Sequence, residues 1–127
     1  MDIQKVLIAD DEKHIREILK MYCEKEGFDV IEAADGAEAI LKVQSEKPDI
    51  LILDIMMPVM DGLEASKKIR ELPEGKGKDI PIIAMTANAF VEDKEKTKEA
   101  GMNAHLTKPV NREEIIRVLA AYWKNKG

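Results

Sequence analysis

Asp10, Asp11, Asp54 and Thr86 stand out because they follow short aliphatic runs, and Lys108 because it follows a short, more polar stretch that reads as a further strand. Lys5-Val6-Leu7-Ile8-Ala9 leads into Asp10-Asp11, and Ile50-Leu51-Ile52-Leu53 leads into Asp54. Pro81-Ile82-Ile83-Ala84-Met85 leads into Thr86, and Asn103-Ala104-His105-Leu106-Thr107 leads into Lys108-Pro109. A carboxylate at the end of a buried run is costly unless something pairs with it. Carboxylates brought together repel and raise one another's pKa. A hard divalent cation with oxygen ligands relieves that repulsion, and Mg2+ suits a site of few carboxylates and several waters. A lysine and a threonine hydroxyl nearby can hold phosphoryl oxygens. This set could therefore carry out phosphoryl transfer onto a carboxylate, with Asp54 as the nucleophile. Mg2+ would be held by Asp11, Asp54 and the Met56 backbone carbonyl, with Asp10 mainly through water, while Lys108 and Thr86 take the remaining phosphoryl oxygens.

The elements that must gather these residues follow from periodicity. The aliphatic runs are short and do not alternate, as strands buried on both faces do not. Phe28-Asp29-Val30-Ile31-Glu32 is more polar and belongs at a sheet edge. Between strands the period becomes helical. Ile15, Ile18, Leu19 and Tyr22 fall on one face, with acidic residues at the start suiting the helix dipole and Gly27 at the end. Ala37, Ile40 and Val43 mark a second helix after Asp35-Gly36, and Leu63, Ile69 and Leu72 a third. Val91 to Ala100, closed by Gly101, reads as a helix with a solvated charged face. The last helix carries Ile115, Val118, Leu119 and Tyr122, flanked by Ile116, Ala120 and Trp123, and Asn111 with Glu114 resembles a capping box. Pro73 to Asp79 is expected to be a flexible surface loop. Five strands alternating with five helices predict one α/β domain over residues 1–127, a parallel sheet with helices on both faces. All strand C-termini then share one rim, where ligands bind.

Composition narrows the function. The chain has 127 residues, 45% hydrophobic and 35% charged, a globular mix. A net charge of −5 with no basic stripe argues against nucleic-acid binding, and the few aromatics offer no base-stacking platform. No apolar run is long enough to span a membrane, and no signal-peptide pattern opens the chain. The lone Cys23 suits a reducing cytoplasm and is expected to pack in the core.

Asp10-Asp11, Asp54 with Pro58 and Asp61-Gly62, Thr86-Ala87 and Lys108-Pro109 occur in the order and at the spacings of a response-regulator receiver domain of two-component signalling. The chain resembles that family along its whole length. The resemblance implies a flavodoxin-like doubly wound (βα)5 fold with strand order 2-1-3-4-5. It implies phosphorylation of Asp54 by a histidine kinase or histidine phosphotransfer domain, Mg2+ dependence, a cis Lys108–Pro109 bond, and a switch through Thr86 and His105. His105 departs from the pattern, because many receivers carry Tyr or Phe there. The wording Met85-Thr86-Ala87-Asn88-Ala89 and Gly101 to Pro109 is most similar to receivers of hybrid sensor kinases. The phosphodonor is expected on Lys13 to Tyr22 and the loop after the fifth strand. The domain is expected to be cytoplasmic and a monomer when unphosphorylated, either a stand-alone receiver or a piece of a larger kinase. It would catalyse its own phosphorylation and slow dephosphorylation without being a conventional enzyme. Met56 and Asn88, two residues beyond Asp54 and Thr86, would influence phosphate lifetime; Met56 cannot donate a hydrogen bond to position water.

Other readings are weaker. An aspartate-nucleophile phosphatase of the haloacid dehalogenase type needs a second Asp two residues on, where this chain has Met56. A degenerate receiver acting only as a binding module usually loses an acidic or lysine position. No Gly-x-Gly-x-x-Gly or Walker pattern supports a nucleotide site. Asp10 and Asp11 could merely cap a helix, His14 is expected to be an exposed helix residue, and Met56, Met57 and Met60 are expected in local packing.

Overall fold

A computed structural model describes residues 3–75, 77–87 and 91–122, and only the backbone of residues 91–93. Asn88 and Trp123 lie outside the described residues. The elements run β1 Lys5–Ala9, α1 Lys13–Lys25, β2 Asp29–Ala33, α2 Gly36–Glu46, β3 Ile50–Asp54, α3 Gly62–Arg70, a 3-10 turn Pro73–Gly75, β4 Ile82–Thr86, α4 Val91–Glu99, β5 Ala104–Thr107 and α5 Arg112–Ala121. The five strands form one parallel sheet in the order β2-β1-β3-β4-β5, with the polar β2 at an edge as its composition requires. Chain order reverses between β1 and β3, so the rim beyond these two strands is the switch point.

Strand side chains alternate between faces, and the core divides accordingly. Leu7, Ala9, Leu51, Leu53, Ile82 and Ala84 pack with Ala39 and Val43 of α2 and Ala65 and Ile69 of α3. Val6, Ile8, Ile50, Ile52, Ile83, Met85 and Leu106 pack with Leu19 and Cys23 of α1 and Ile115, Val118 and Leu119 of α5. Every position of β3 and β4 is buried, and each buried aliphatic side chain contributes about 1.5–3 kcal/mol. Cys23 belongs to this core, and burial pushes its thiol up to about 12.

Helix starts are fixed by side-chain caps. Asp35 Oδ1 accepts the Glu38 amide at 2.8 Å, Asp61 Oδ1 the Glu64 amide at 2.8 Å, and Asn111 Oδ1 the Glu114 amide at 2.9 Å. At α1 the acidic run Asp10, Asp11 and Glu12 stands just before the first turn, with Glu12 as the N-cap at the positive end of the helix dipole. Gly27, at φ +91°, follows α1 and takes the left-handed conformation that ends a helix.

Three local expectations need correction. In α2 the buried face is Gly36, Ala39 and Val43, with Ile40 half-buried and Ala37 exposed. The rotation follows from Gly36, where an added Cβ would lie 2.7 Å from the Met60 carbonyl oxygen; this close approach turns Gly36 inward. In α3 the small residues Ala65 and Ser66 join Ile69 inside and Leu63 only flanks the core, while Leu72 lies beyond the helix end at Arg70 and packs against the core from there. The end of the expected loop, residues 77–79, is also anchored. The Arg70 guanidinium donates to the carbonyls of Gly77 at 2.8 Å, Lys78 at 3.2 Å and Ile80 at 2.7 Å, and Gly77 is buried. Loop composition alone does not reveal a donor in the preceding helix.

Candidate functional site

Four strands deliver their side chains to one rim. Asp10 follows β1 and is wholly buried; Asp54 ends β3 at 2% exposure and Thr86 ends β4 at 1%. Lys108 follows β5, and its backbone N–H donates to the Thr86 carbonyl at 2.8 Å, extending the β4–β5 pairing. The Lys108–Pro109 bond is cis, as the resemblance implies. The Lys108 ammonium lies 3.0 Å from Asp10 Oδ2 and 3.1 Å from Asp54 Oδ2, so it sits between the two buried carboxylates. Each remaining oxygen accepts a backbone amide two residues on: Asp10 Oδ1 that of Glu12 at 2.9 Å, Asp54 Oδ1 that of Met56 at 3.0 Å.

These contacts set the charges. Burial pushes the Asp54 carboxyl above its ordinary range, and the neighbouring Asp10 adds to the shift; the Met56 amide and Lys108 partly oppose both. Burial would lower the Lys108 ammonium, but Asp10 and Asp54 outweigh it and hold the lysine above its usual value. Charge repulsion between carboxylates, the cause anticipated from sequence, is thus secondary to desolvation at Asp54.

The same rim can take a cation. One carboxylate oxygen from each of Asp10, Asp11 and Glu12 lies within 4.8 Å of the others, with Asp10 buried and the other two exposed. Asp10 Oδ2, despite the ammonium 3.0 Å away, has no well-directed hydrogen bond, an unsatisfied buried acceptor of the kind a cation completes. Four carboxyl groups share the rim with one ammonium, and all the donors are oxygens, the ligand type of Mg2+. Asp54 is not in the three-residue cluster; Lys108 links it to Asp10. Met56, whose side chain points outward at 73% exposure, contributes its backbone at this place. Met57 is core, Met60 packs against it, and His14 is exposed.

Glu12 escaped sequence reasoning as a site residue, and Gly62, read there only as part of the Asp61-Gly62 pattern, gains a structural role. Glu12 completes the carboxylate cluster, and the signal was its place as third in an acidic run. Gly62 lets α3 start directly beneath the nucleophile: a Cβ there would come 2.3 Å from the Asp54 carbonyl oxygen. His105 lies away from the carboxylates, opposite Ala84 on β5, half-buried and hydrogen-bonded through Nε2 to Thr97 Oγ1 of α4.

A doubly wound parallel α/β fold with a carboxylate–lysine centre at its switch point is the class these observations define. Residues 6–120 match the family model of the response regulator receiver domain, and the chain belongs to that family. It is 40% identical over 121 residues to the hybrid signal transduction histidine kinase I of Dictyostelium discoideum, covering 91% of this chain and 7% of that protein. Among solved structures, the chemotaxis protein CheY4 of Vibrio cholerae superposes with a TM-score of 0.90 at 35% identity, covering 95% of this chain and 99% of that one. The receiver domain of the sensor histidine kinase PA1611 of Pseudomonas aeruginosa, with a magnesium ion coordinated in its active-site cleft, superposes with a TM-score of 0.86 at 33% identity, covering 95% and 98%. This chain is therefore a receiver domain of two-component signalling, similar to the receivers of hybrid kinases. No helix among the described residues is long and apolar enough to cross a membrane.

Proposed function

We propose that the chain is the phosphoacceptor of a phosphorelay, with Asp54 the residue modified. The observation that carries this reading is the Lys108 ammonium, 3.0 Å from Asp10 and 3.1 Å from Asp54 at the end of a wholly buried strand. An Asp54 oxygen attacks phosphorus as the P–N bond of a donor phosphohistidine breaks, the electron pair leaving with the imidazole. Lys108 shifts from the carboxylate to the incoming phosphoryl oxygens, and the Thr86 hydroxyl follows them. Bound Mg2+, held by Asp11, Asp54 and the Met56 carbonyl with Asp10 through water, would supply neutralisation of the phosphoryl charge. The carboxylate cluster that includes Glu12 supports this assignment. The coupled movement of Thr86, Lys108 and His105 is the switch, and slow hydrolysis at Asp54 resets it.

The donor is a histidine kinase or histidine phosphotransfer domain docking on α1 and the β5–α5 loop. Residues 1–127 act as one receiver unit, cytoplasmic and monomeric before phosphorylation. Intact-mass analysis after incubation with acetyl phosphate tests the central claim. One phosphoryl adduct is expected, requiring both Mg2+ and Asp54 and absent from Asp54→Asn. A full adduct on Asp54→Asn would refute the assignment.

A further inference from the structure

Arg16, on α1, has a side chain only 15% exposed, and its guanidinium serves two groups at once. Nε donates to Glu32 Oε1 of β2 at 3.0 Å, and Nη1 donates to the Asp10 carbonyl at 2.7 Å. The Arg16 backbone N–H donates to the Glu12 carbonyl at 3.2 Å. One residue therefore holds the carbonyls on both sides of Asp11. The Asp10 N–H donates to the Ala33 carbonyl at 3.1 Å, so the turn from β1 into α1 is tied to β2 by its backbone and, through Arg16, by Glu32.

This turn carries the acidic cluster. Asp11 is exposed, so packing does not set the direction of its carboxylate. Its direction follows from the backbone, and the peptide joining Asp10 to Asp11 is planar, so a bond to its carbonyl orients both residues. A guanidinium suits that task because its donors form a rigid fork: with Nε fixed on Glu32, the direction of Nη1 is fixed too. As a charge, Arg16 works against a cation at the same rim, since like charges repel. Glu32 offsets that charge from 3.0 Å. What Arg16 offers a cation is geometry, and partners that orient metal ligands are worth about 10–100-fold in affinity.

We propose that Arg16 is the positioning residue of the cation site: steered by Glu32, it sets the Asp10–Asp11 peptide so that the carboxylates of the turn converge on Mg2+, and it raises Mg2+ affinity despite its own positive charge. The proposal rests on the reading of this rim as the Mg2+ site of the phosphoacceptor. Arg16 acts through the backbone of Asp10 and Asp11, not through contact with the cation or the phosphoryl group.

Titration with MgCl2 alone, followed by the amide resonances of residues 10–12, tests the proposal. Arg16→Met, which keeps an unbranched side chain and removes the donors, is expected to bind Mg2+ about tenfold more weakly than the wild type. The sign of the change is diagnostic. Tighter binding by Arg16→Met would make Arg16 a charge effect only, and an unchanged Kd would confine it to the fold; either result overturns the proposal. Arg16→Lys keeps the charge but not the fork, and is expected to bind about threefold more weakly. Wild-type affinity in Arg16→Lys overturns the proposal even where Arg16→Met fails to fold. With acetyl phosphate, the Mg2+ concentration giving half-maximal adduct formation should rise about tenfold in Arg16→Met, and saturating Mg2+ should restore the maximal rate. A rate that saturating Mg2+ does not restore would place Arg16 in the reaction itself and overturn the proposal. All these outcomes leave the Mg2+ site standing, whereas a wild type that binds no Mg2+ overturns that reading and the role of Arg16 with it.

Discussion

Asp54 and Thr97 are both buried polar side chains, but they are held in opposite ways. Asp54 ends a strand buried at all five positions, and its two oxygens are fixed by the Met56 amide and the Lys108 ammonium. Thr97 sits on a helix whose other described side chains are exposed, and it reaches the sheet through a bond to the half-buried His105. Chemistry at a carboxylate needs a stiff support, because small misplacements of the nucleophile are costly in rate. The two groups stand apart, one at the switch point between β1 and β3 and the other beside edge strand β5.

The sharpest way to break this comparison is to remove the counter-charge at the stiff end. Lys108→Ala leaves Asp10 and Asp54 buried without a cation, a loss of about 3–5 kcal/mol at neutral pH by urea unfolding without Mg2+. The raised lysine value fixes the alkaline limb of the wild type. Stability from the pair is fully present below the ordinary lysine value of 10.5 and is lost as pH rises through the higher folded value. The variant should lack that limb. Wild-type stability in Lys108→Ala would show that the rim does not depend on its counter-charge.

Gly62→Ala asks whether the support itself is intolerant. The new methyl would meet the Asp54 carbonyl at 2.3 Å, so α3 or β3 must shift. A loss of about 1–3 kcal/mol is expected, together with slower phosphorylation by acetyl phosphate. An unchanged phosphorylation rate would show that the nucleophile tolerates movement of its own strand.

The smallest effect concerns the price of burying Asp54 itself. Its folded pKa is raised, so the stability it contributes is fully present below the unfolded value of 3.8 and is lost as pH rises through the folded value. Asp54→Asn removes that loss. In Mg2+-free buffer at neutral pH it should melt higher than the wild type, with the difference vanishing in acid. A variant less stable at neutral pH would mean that the pairing with Lys108 outweighs desolvation.

Much of this was legible beforehand. The strands ending in Asp54 and Thr86 are unbroken aliphatic runs, and such runs can only be buried on both faces. The rim followed from parallel topology, which sends every strand end to one side. What was misread involves the rotation or anchoring of surface elements. Ala37 and Ala39 are equally apolar, and only the approach of Met60 to Gly36 decides which one faces inward. Arg70 reads as a surface cation until residues 77–80 bring three carbonyls to its guanidinium.

The sequence by itself determined the fold, the convergence of Asp10, Asp54, Thr86 and Lys108 and membership of the receiver family. Strand burial and chain order require only residue type and spacing, which a sequence states directly. Tertiary structure alone decided that Lys108 stands between Asp10 and Asp54, that Glu12 joins the carboxylate cluster, and that Thr97 meets His105. Those facts depend on side-chain direction and distances between elements remote in the chain, and no local pattern encodes them.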